Sequence, residues 1–134
     1  MKKLISLLII TLAFLGFAFF EATRTSSSNA AVAAYYKQVQ ALHILVPTEK
    51  QAKDIRAEIM AGENQQAIFS NFMKAARKYS TCPSGSSGGI LGWFGRGDMV
   101  PAFEMAAFEL PNGQVSEPVK TQFGYHLIYV ISKK

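Results

Sequence analysis

The sequence predicts an α+β domain built on a small, largely antiparallel sheet, and three features of the chain carry that prediction. Residues 39–46 and 122–131 place apolar side chains on both alternating faces, as strands covered from two sides do. Two stretches with apolar residues at helical spacing lie between them, followed by a glycine-rich segment and short strand-like runs. The resulting order (strand, helix, helix, strand, short helix, strand, strand) does not alternate as a doubly wound α/β fold requires.

The first strand is VQALHILV, Val39 to Val46, with Ala41, His43 and Leu45 on one face and Leu42, Ile44 and Val46 on the other. His43 is an ionisable group in an apolar run; taken alone it reads as a satisfied core residue. Pro47 ends the strand. Thr48 and Gln51 have the spacing of a capping box, and Ala52, Ile55, Ile59 and Met60 follow at helical intervals up to Gly62, where a left-handed stop is expected. A second helix spans Glu63 to Lys78 through Ile68, Phe72, Ala75, Ala76 and Tyr79, an aromatic stripe that reads as core; Ser80 and Pro83 mark its end. Leu91 to Phe94 forms a short strand between glycines, and Pro101 takes the first position of a short helix ending at Phe108. Leu110-Pro111-Asn112-Gly113 is a turn, and Val115 to Val119, broken by Pro118, is an edge strand. The closing strand, Gln122 to Ile131, sets His126, Ile128 and Val130 against Tyr125, Leu127, Tyr129 and Ile131.

The chain's 134 residues, 49% hydrophobic and 17% charged, suit one globular domain, placed here at residues 39–134. Residues 1–20 carry Lys2 and Lys3 ahead of an uncharged apolar run from Leu4 to Phe20, the layout of a signal peptide or a membrane anchor. Gly16 and Ala18 would suit cleavage before Phe19, whereas the whole run of about 17 residues just reaches the length that spans a bilayer. Residues 21–38 read as a flexible linker or a second targeting segment, being small, polar and poor in acid groups. The chain is therefore expected to be exported, to a secreted, periplasmic, endomembrane or organellar compartment, or held at a membrane through residues 4–20. The net charge is +5, but basic and acidic residues alternate, so no nucleic-acid surface is expected. One cysteine excludes an intramolecular disulfide.

Chemistry concentrates in Tyr79 to Glu104, YSTCPSGSSGGILGWFGRGDMVPAFE, which holds the single cysteine, the single tryptophan and six of the ten glycines. A loop so rich in Gly and Ser buries little surface of its own, so its apolar residues must be held by a scaffold. Cys82 with His43 or His126 invites a nucleophilic reading, yet the local signatures of cysteine hydrolases are missing. One Cys and two His lack the paired spacing of zinc sites, so no metal is expected, and no GxxxxGK[ST] loop is present.

Four blocks in order, ALHILV at Ala41 to Val46, YSTCPSGSSGG at Tyr79 to Gly89, LGWFGRGDMVPAFE at Leu91 to Glu104 and VSEPVKTQFGYHLIYV at Val115 to Val130, resemble the parvulin-type peptidyl-prolyl cis-trans isomerases over Gln40 to Lys133. The resemblance implies the parvulin fold of the FKBP-like superfold, a four-stranded antiparallel sheet flanked by helices. It places the family's paired histidines on His43 and His126 and its thiol on Cys82. The proline pocket falls on Leu91, Met99 and Phe103, with Phe94, Thr121 and Phe123 nearby. Implied partners are proline-containing polypeptides, served by a monomer without a cofactor. Ile90 stands where many relatives carry an acidic residue. The stretch VPTEK, Val46 to Lys50, lacks the basic cluster of the phosphate-selective members, so no phosphate selectivity is expected. A parvulin-like domain that holds unfolded chains without isomerising them is the alternative.

Overall fold

The computed structural model describes residues 35–134, so the segment 1–20 and all of 21–38 except its last four residues lie outside the described part. Its elements are β1 (Gln38–Val46), α1 (Glu49–Met60), α2 (Gln65–Tyr79), a 3-10 turn (Pro83–Ser87), β2 (Ile90–Gly95), α3 (Pro101–Glu109), β3 (Val119–Thr121) and β4 (Gly124–Lys133). The strands form one antiparallel sheet in the order β2-β1-β4-β3, the α+β architecture the sequence predicts. The domain begins slightly before Val39, because the N–H groups of Lys37 and Gln38 both donate to Lys134 O at 2.8 Å.

Strand alternation divides the core into two halves. Leu42, Ile44 and Val46 of β1 and Leu127 and Tyr129 of β4 pack beneath α1 and α2, against Ile55, Ile59, Phe72 and Ala75. On the opposite face Val39, Ala41, Ile128 and Val130 pack with Phe94 beneath Phe103, Ala107 and Phe108 of α3. Two helices cover one face of the sheet, and one nine-residue helix covers the other.

Local signals fix most helix ends. Thr48 Oγ1 accepts the Gln51 N–H at 3.2 Å, and Pro101 opens α3 at a position whose N–H has no helical partner. The second helix starts two residues later than the periodicity suggests, because Asn64 caps it and accepts the Ala67 N–H at 2.9 Å. Gly62 is not a left-handed stop. Ala61 closes α1 in right-handed geometry at φ −69° and ψ −7°, and Gly62 is required for space: a Cβ there would lie 2.8 Å from Ile68 N.

The run Val115 to Val119 is not a strand either. Only Val115 bridges Tyr129, and pairing proper begins at Val119, after Pro118 with its missing N–H. Arg56 claims the carbonyls a strand would use, donating to Ser116 O at 2.9 Å and Val115 O at 3.5 Å. Ser116 substitutes for the ladder: its N–H donates to Ile128 O and its Oγ accepts the Ile128 N–H.

Candidate active site

The two histidines come from the central strand pair. β1 and β4 pair with Leu45 opposite His126 and His43 opposite Ile128, which makes the histidines diagonal neighbours on the α3 face. Their rings stack at 5.4 Å with 19° between planes, and Nδ1 faces Nδ1 at 3.1 Å. Phe103 of α3 meets both rings edge-on, at 5.6 Å from His43 and 5.2 Å from His126. Both histidines are buried.

The loop after α2 is drawn to the end of β1. Ser80 Oγ accepts the Leu45 N–H at 3.1 Å, while the Thr81 N–H donates to Leu45 O at 2.8 Å. Cys82 is thereby set beside His43. The link between them is Ser84, whose Oγ lies 3.0 Å from His43 Nε2 and 3.4 Å from Cys82 Sγ. At the other end His126 Nε2 lies 2.8 Å from Thr121 Oγ1, which accepts the Phe123 N–H at 3.2 Å. One continuous chain therefore runs Cys82, Ser84, His43, His126, Thr121.

Burial, reinforced by the neighbouring His126, lowers the His43 pKa to about 4, and burial lowers that of His126 as well. At neutral pH each ring holds one proton. Two arrangements then satisfy every bond of the chain. In one, Thr121 O–H donates to His126 Nε2, His126 Nδ1–H to His43 Nδ1, His43 Nε2–H to Ser84 Oγ, and Ser84 O–H to Cys82 Sγ. In the other all four donors reverse.

Glycines shape the wall opposite. Gly89 O accepts the His43 N–H at 2.9 Å, and a Cβ on Gly89 would stand 2.3 Å from His43 O, so only glycine permits this approach. In the next pairings Leu42 opposes Ile90 and Ala41 opposes Gly92, which leaves Leu91 as the extra residue of a β-bulge. Gly92 takes up the distortion at φ +73°.

A cavity of about 550 Å³ opens between this bulge, α3 and the histidines, within the size range of small-ligand clefts. Of the pocket residues expected from the sequence, Leu91, Met99, Phe103 and Phe123 line it, as do Cys82, His43 and His126. Phe94 does not. It is 4% exposed and sits beneath Phe103, ring to ring at 6.0 Å, because its place on the strand turns it into the α3 core. Thr121 also stays off the lining and reaches the cavity only through His126.

Residues the sequence reading did not select complete the wall: Leu45, Thr81, Pro83, Asp98 and Val100. Leu45 was within reach of the reading, because it shares a strand face with His43. Ser84 had no such signal, since a hydroxyl inside a Gly/Ser loop looks like spacer until the loop is folded.

The profile of the rotamase family, a PPIC-type PPIase domain, matches residues 43–132, which contain both histidines, Cys82 and the whole cavity wall. The chain belongs to this family. Among similar proteins, the foldase protein PrsA of Geobacillus kaustophilus is 48% identical over 101 residues, covering 75% of this chain and 34% of that protein. The crystal structure of the peptidylprolyl isomerase PrsA from Bacillus cereus superposes with a TM-score of 0.66 at 43% identity, over 84% of this chain and 41% of that one. NmPin, the parvulin of Nitrosopumilus maritimus, superposes with a TM-score of 0.61 at 38% identity, over 72% of this chain and 97% of NmPin. This rotamase chain thus spans about a third of the length of the curated foldases it matches, and its domain corresponds to nearly the whole of a small parvulin.

Proposed function

We propose that the protein is a peptidyl-prolyl cis-trans isomerase that turns X-Pro bonds in unphosphorylated, newly exported polypeptides, working as a monomer without a cofactor. The observation that carries this reading is the cavity itself, an apolar pocket of a size to take a prolyl ring, walled on one side by a chain of neutral hydrogen-bonding groups. Export is supported by Lys2 and Lys3 ahead of the apolar run to Phe20, and by similarity to one solved chain, 36% identical with a TM-score of 0.69, described with PEB4 and the periplasmic protein Cj1289, two SurA-like chaperones of Campylobacter jejuni.

Isomerisation breaks no bond. It must cross a barrier of about 18 to 20 kcal/mol, because twisting the peptide unit ends amide conjugation. A thousandfold acceleration requires the site to favour the twisted amide over both planar forms by about 4 kcal/mol. Leu91, Met99 and Phe103 grip the prolyl ring while the rest of the peptide is held at the rim, so the preceding carbonyl rotates against a fixed ring. The apolar wall removes the water that hydrogen-bonds to the carbonyl oxygen of the planar, polar form. Rotation becomes easier.

The polar chain supplies direction. When its protons run from Thr121 toward Cys82, the Ser84 hydroxyl donates to Sγ and the Cys82 S–H is free to point into the cavity, toward the rotating amide. His43 and His126, uncharged, hold this order without bringing a formal charge into the pocket. Thr121 sets the far end of the chain, and Phe94 supports Phe103 from below. Covalent attack by Cys82 is unnecessary for a rotation.

The test is an exchange-rate assay on short peptides with one X-Pro bond each, phosphorylated and not. The expected result is at least hundredfold acceleration of unphosphorylated peptides, lost in a folded Met99→Ala, Phe103→Ala double variant and retained within about tenfold in Cys82→Ser. Peptide binding by a folded domain with no acceleration would overturn the proposal and leave a client-holding module. Complete loss in a folded Cys82→Ser variant would overturn the non-covalent role.

A further inference from the structure

Asp98 lies in the turn between β2 and α3, at the mouth of the cavity. It is the single Asp, Glu, Lys or Arg among the residues that line it. Its position is fixed by the turn: Oδ2 accepts the Gly95 N–H at 2.7 Å, and the Asp98 N–H reaches Gly95 O at 3.4 Å. Gly97 lets the chain reverse at φ +87°, and its N–H donates to Glu104 Oε2 at 2.6 Å. The carboxylate is held still and yet exposed. Among the described residues no basic side chain forms an ion pair with it, and Arg96 is engaged with the Phe108 ring at 4.2 Å and Glu104 at 3.8 Å.

An apolar cavity with one immobilised negative charge at its entrance discriminates among the residues that flank a bound proline. We infer that Asp98 selects clients by charge: a proline next to lysine or arginine is bound in preference to one next to aspartate, glutamate or a phosphorylated residue. The inference deepens the isomerase reading and rests on the same cavity. Two unit charges roughly 7 Å apart in a water-like medium change affinity about threefold, so attraction of a lysine peptide and repulsion of a glutamate peptide separate the two by about sevenfold. Screening reduces that ratio to about twofold at physiological salt, where the Debye length is about 8 Å. The chain's own net charge of +5 acts in the opposite sense and would draw acidic peptides, so a lysine preference is a signature of the local carboxylate.

Asp98 also shapes its turn, and Asp98→Asn separates the two roles, because the amide oxygen can still accept the Gly95 N–H while the charge is gone. The experiment uses the whole chain and two labelled proline peptides that differ only in Lys or Glu before the proline. Dissociation constants by fluorescence anisotropy and isomerisation rates by exchange are measured at about 20 and about 150 mM salt. The expected result is a several-fold preference for the lysine peptide at low salt that shrinks at high salt and collapses toward unity in Asp98→Asn. Equal affinities for the two peptides at low salt, or a preference unchanged in Asp98→Asn, overturns the inference. Should that variant fail to fold, Asp98→Ser, which also removes the charge and keeps a hydroxyl acceptor in the turn, makes the same comparison. Lysine-selective binding without faster isomerisation would sink the isomerase reading while leaving charge selection in place; fast isomerisation of both peptides at equal affinity would do the reverse.

Discussion

The two faces of the sheet have the same strands and opposite fates. Beneath α1 and α2, Leu42, Ile44, Val46 and Leu127 are fully buried in one apolar cluster, and Phe69 and Phe72 close over Tyr129 at 5.6 and 5.8 Å. Under α3 the same alternation begins in the same way, with Val39 and Ala41 at 0% exposure, and then reaches His43 and His126, where the packing gives way to a polar chain and a cavity. The nine-residue α3 covers less of its face than the 12-residue α1 and the 15-residue α2 together cover of theirs. The site is the part of the core that this shorter helix leaves unfilled, which is why its polar groups can be buried and still face a cavity.

Substituting one residue on each face tests that division most directly. Phe72→Ala removes a fully buried ring from the closed face and should cost about 3 to 5 kcal/mol in denaturant unfolding, with the activity per folded molecule unchanged. Met99→Ala, from a partly buried residue on the cavity wall, should cost about 1 kcal/mol or less while reducing isomerisation at least tenfold. Equal stability costs, or equal losses of activity, would break the contrast.

Acid should act through the open face. In the unfolded chain histidine titrates near its ordinary value of about 6.5, whereas burial holds His43 at about 4 and lowers His126. Between those values the unfolded state binds more protons, so stability is complete above pH 6.5, falls as pH drops and levels off below about 4. Linkage for His43 alone gives a loss of ~2 kcal/mol between pH 7.5 and 5, measurable as a shift in the urea midpoint. Replacing His43 with Asn should flatten that slope. An unchanged slope in the variant would place the acid sensitivity elsewhere.

What the sequence made legible follows the same line. Alternation assigned the correct faces in β1 and β4, periodicity found α1 and α2, and Pro101 marked the start of α3, because those signals are local and each residue reports its own environment. On residue pattern alone His43 belongs to the core, and it is indeed buried there; only the resemblance of whole blocks to the parvulin-type isomerases marked it as part of a site. The bonds that make the site join His43 to Ser84, 41 positions away, and to His126, 83 positions away. No window of sequence contains both partners. Asn64 as a cap and Arg56 holding the Ser116 carbonyl were missed for related reasons, the first because it preceded the apolar pattern by several residues and the second because its acceptors lie 59 and 60 positions off.

The smallest predicted effect concerns how the open face is aimed. Leu91 lines the cavity because it is the unpaired residue of a bulge, and the bulge depends on Gly92 at φ +73°. A Cβ at Gly92 would meet nothing within 4 Å, so Gly92→Ala introduces backbone strain without a clash. That strain is worth ~1 kcal/mol, since an L side chain is disfavoured in the left-handed region. The domain can bear it by keeping the bulge, or it can relieve it by letting β2 straighten, which slides Leu91 toward the opposite face of the sheet. The two responses are separable. Keeping the bulge costs stability and leaves the affinity for a proline peptide as it was; straightening preserves stability and weakens the affinity severalfold, because Leu91 leaves the cavity wall. We expect the first, since Gly89 and Gly95, held by His43 N–H and Asp98 Oδ2, pin the strand close to both of its ends. Gly89→Ala is the sharper control. Its Cβ would press on the backbone of His43 itself, so it should cost more stability than Gly92→Ala, and a smaller cost would mean that the wall of the site yields where the geometry says it is held.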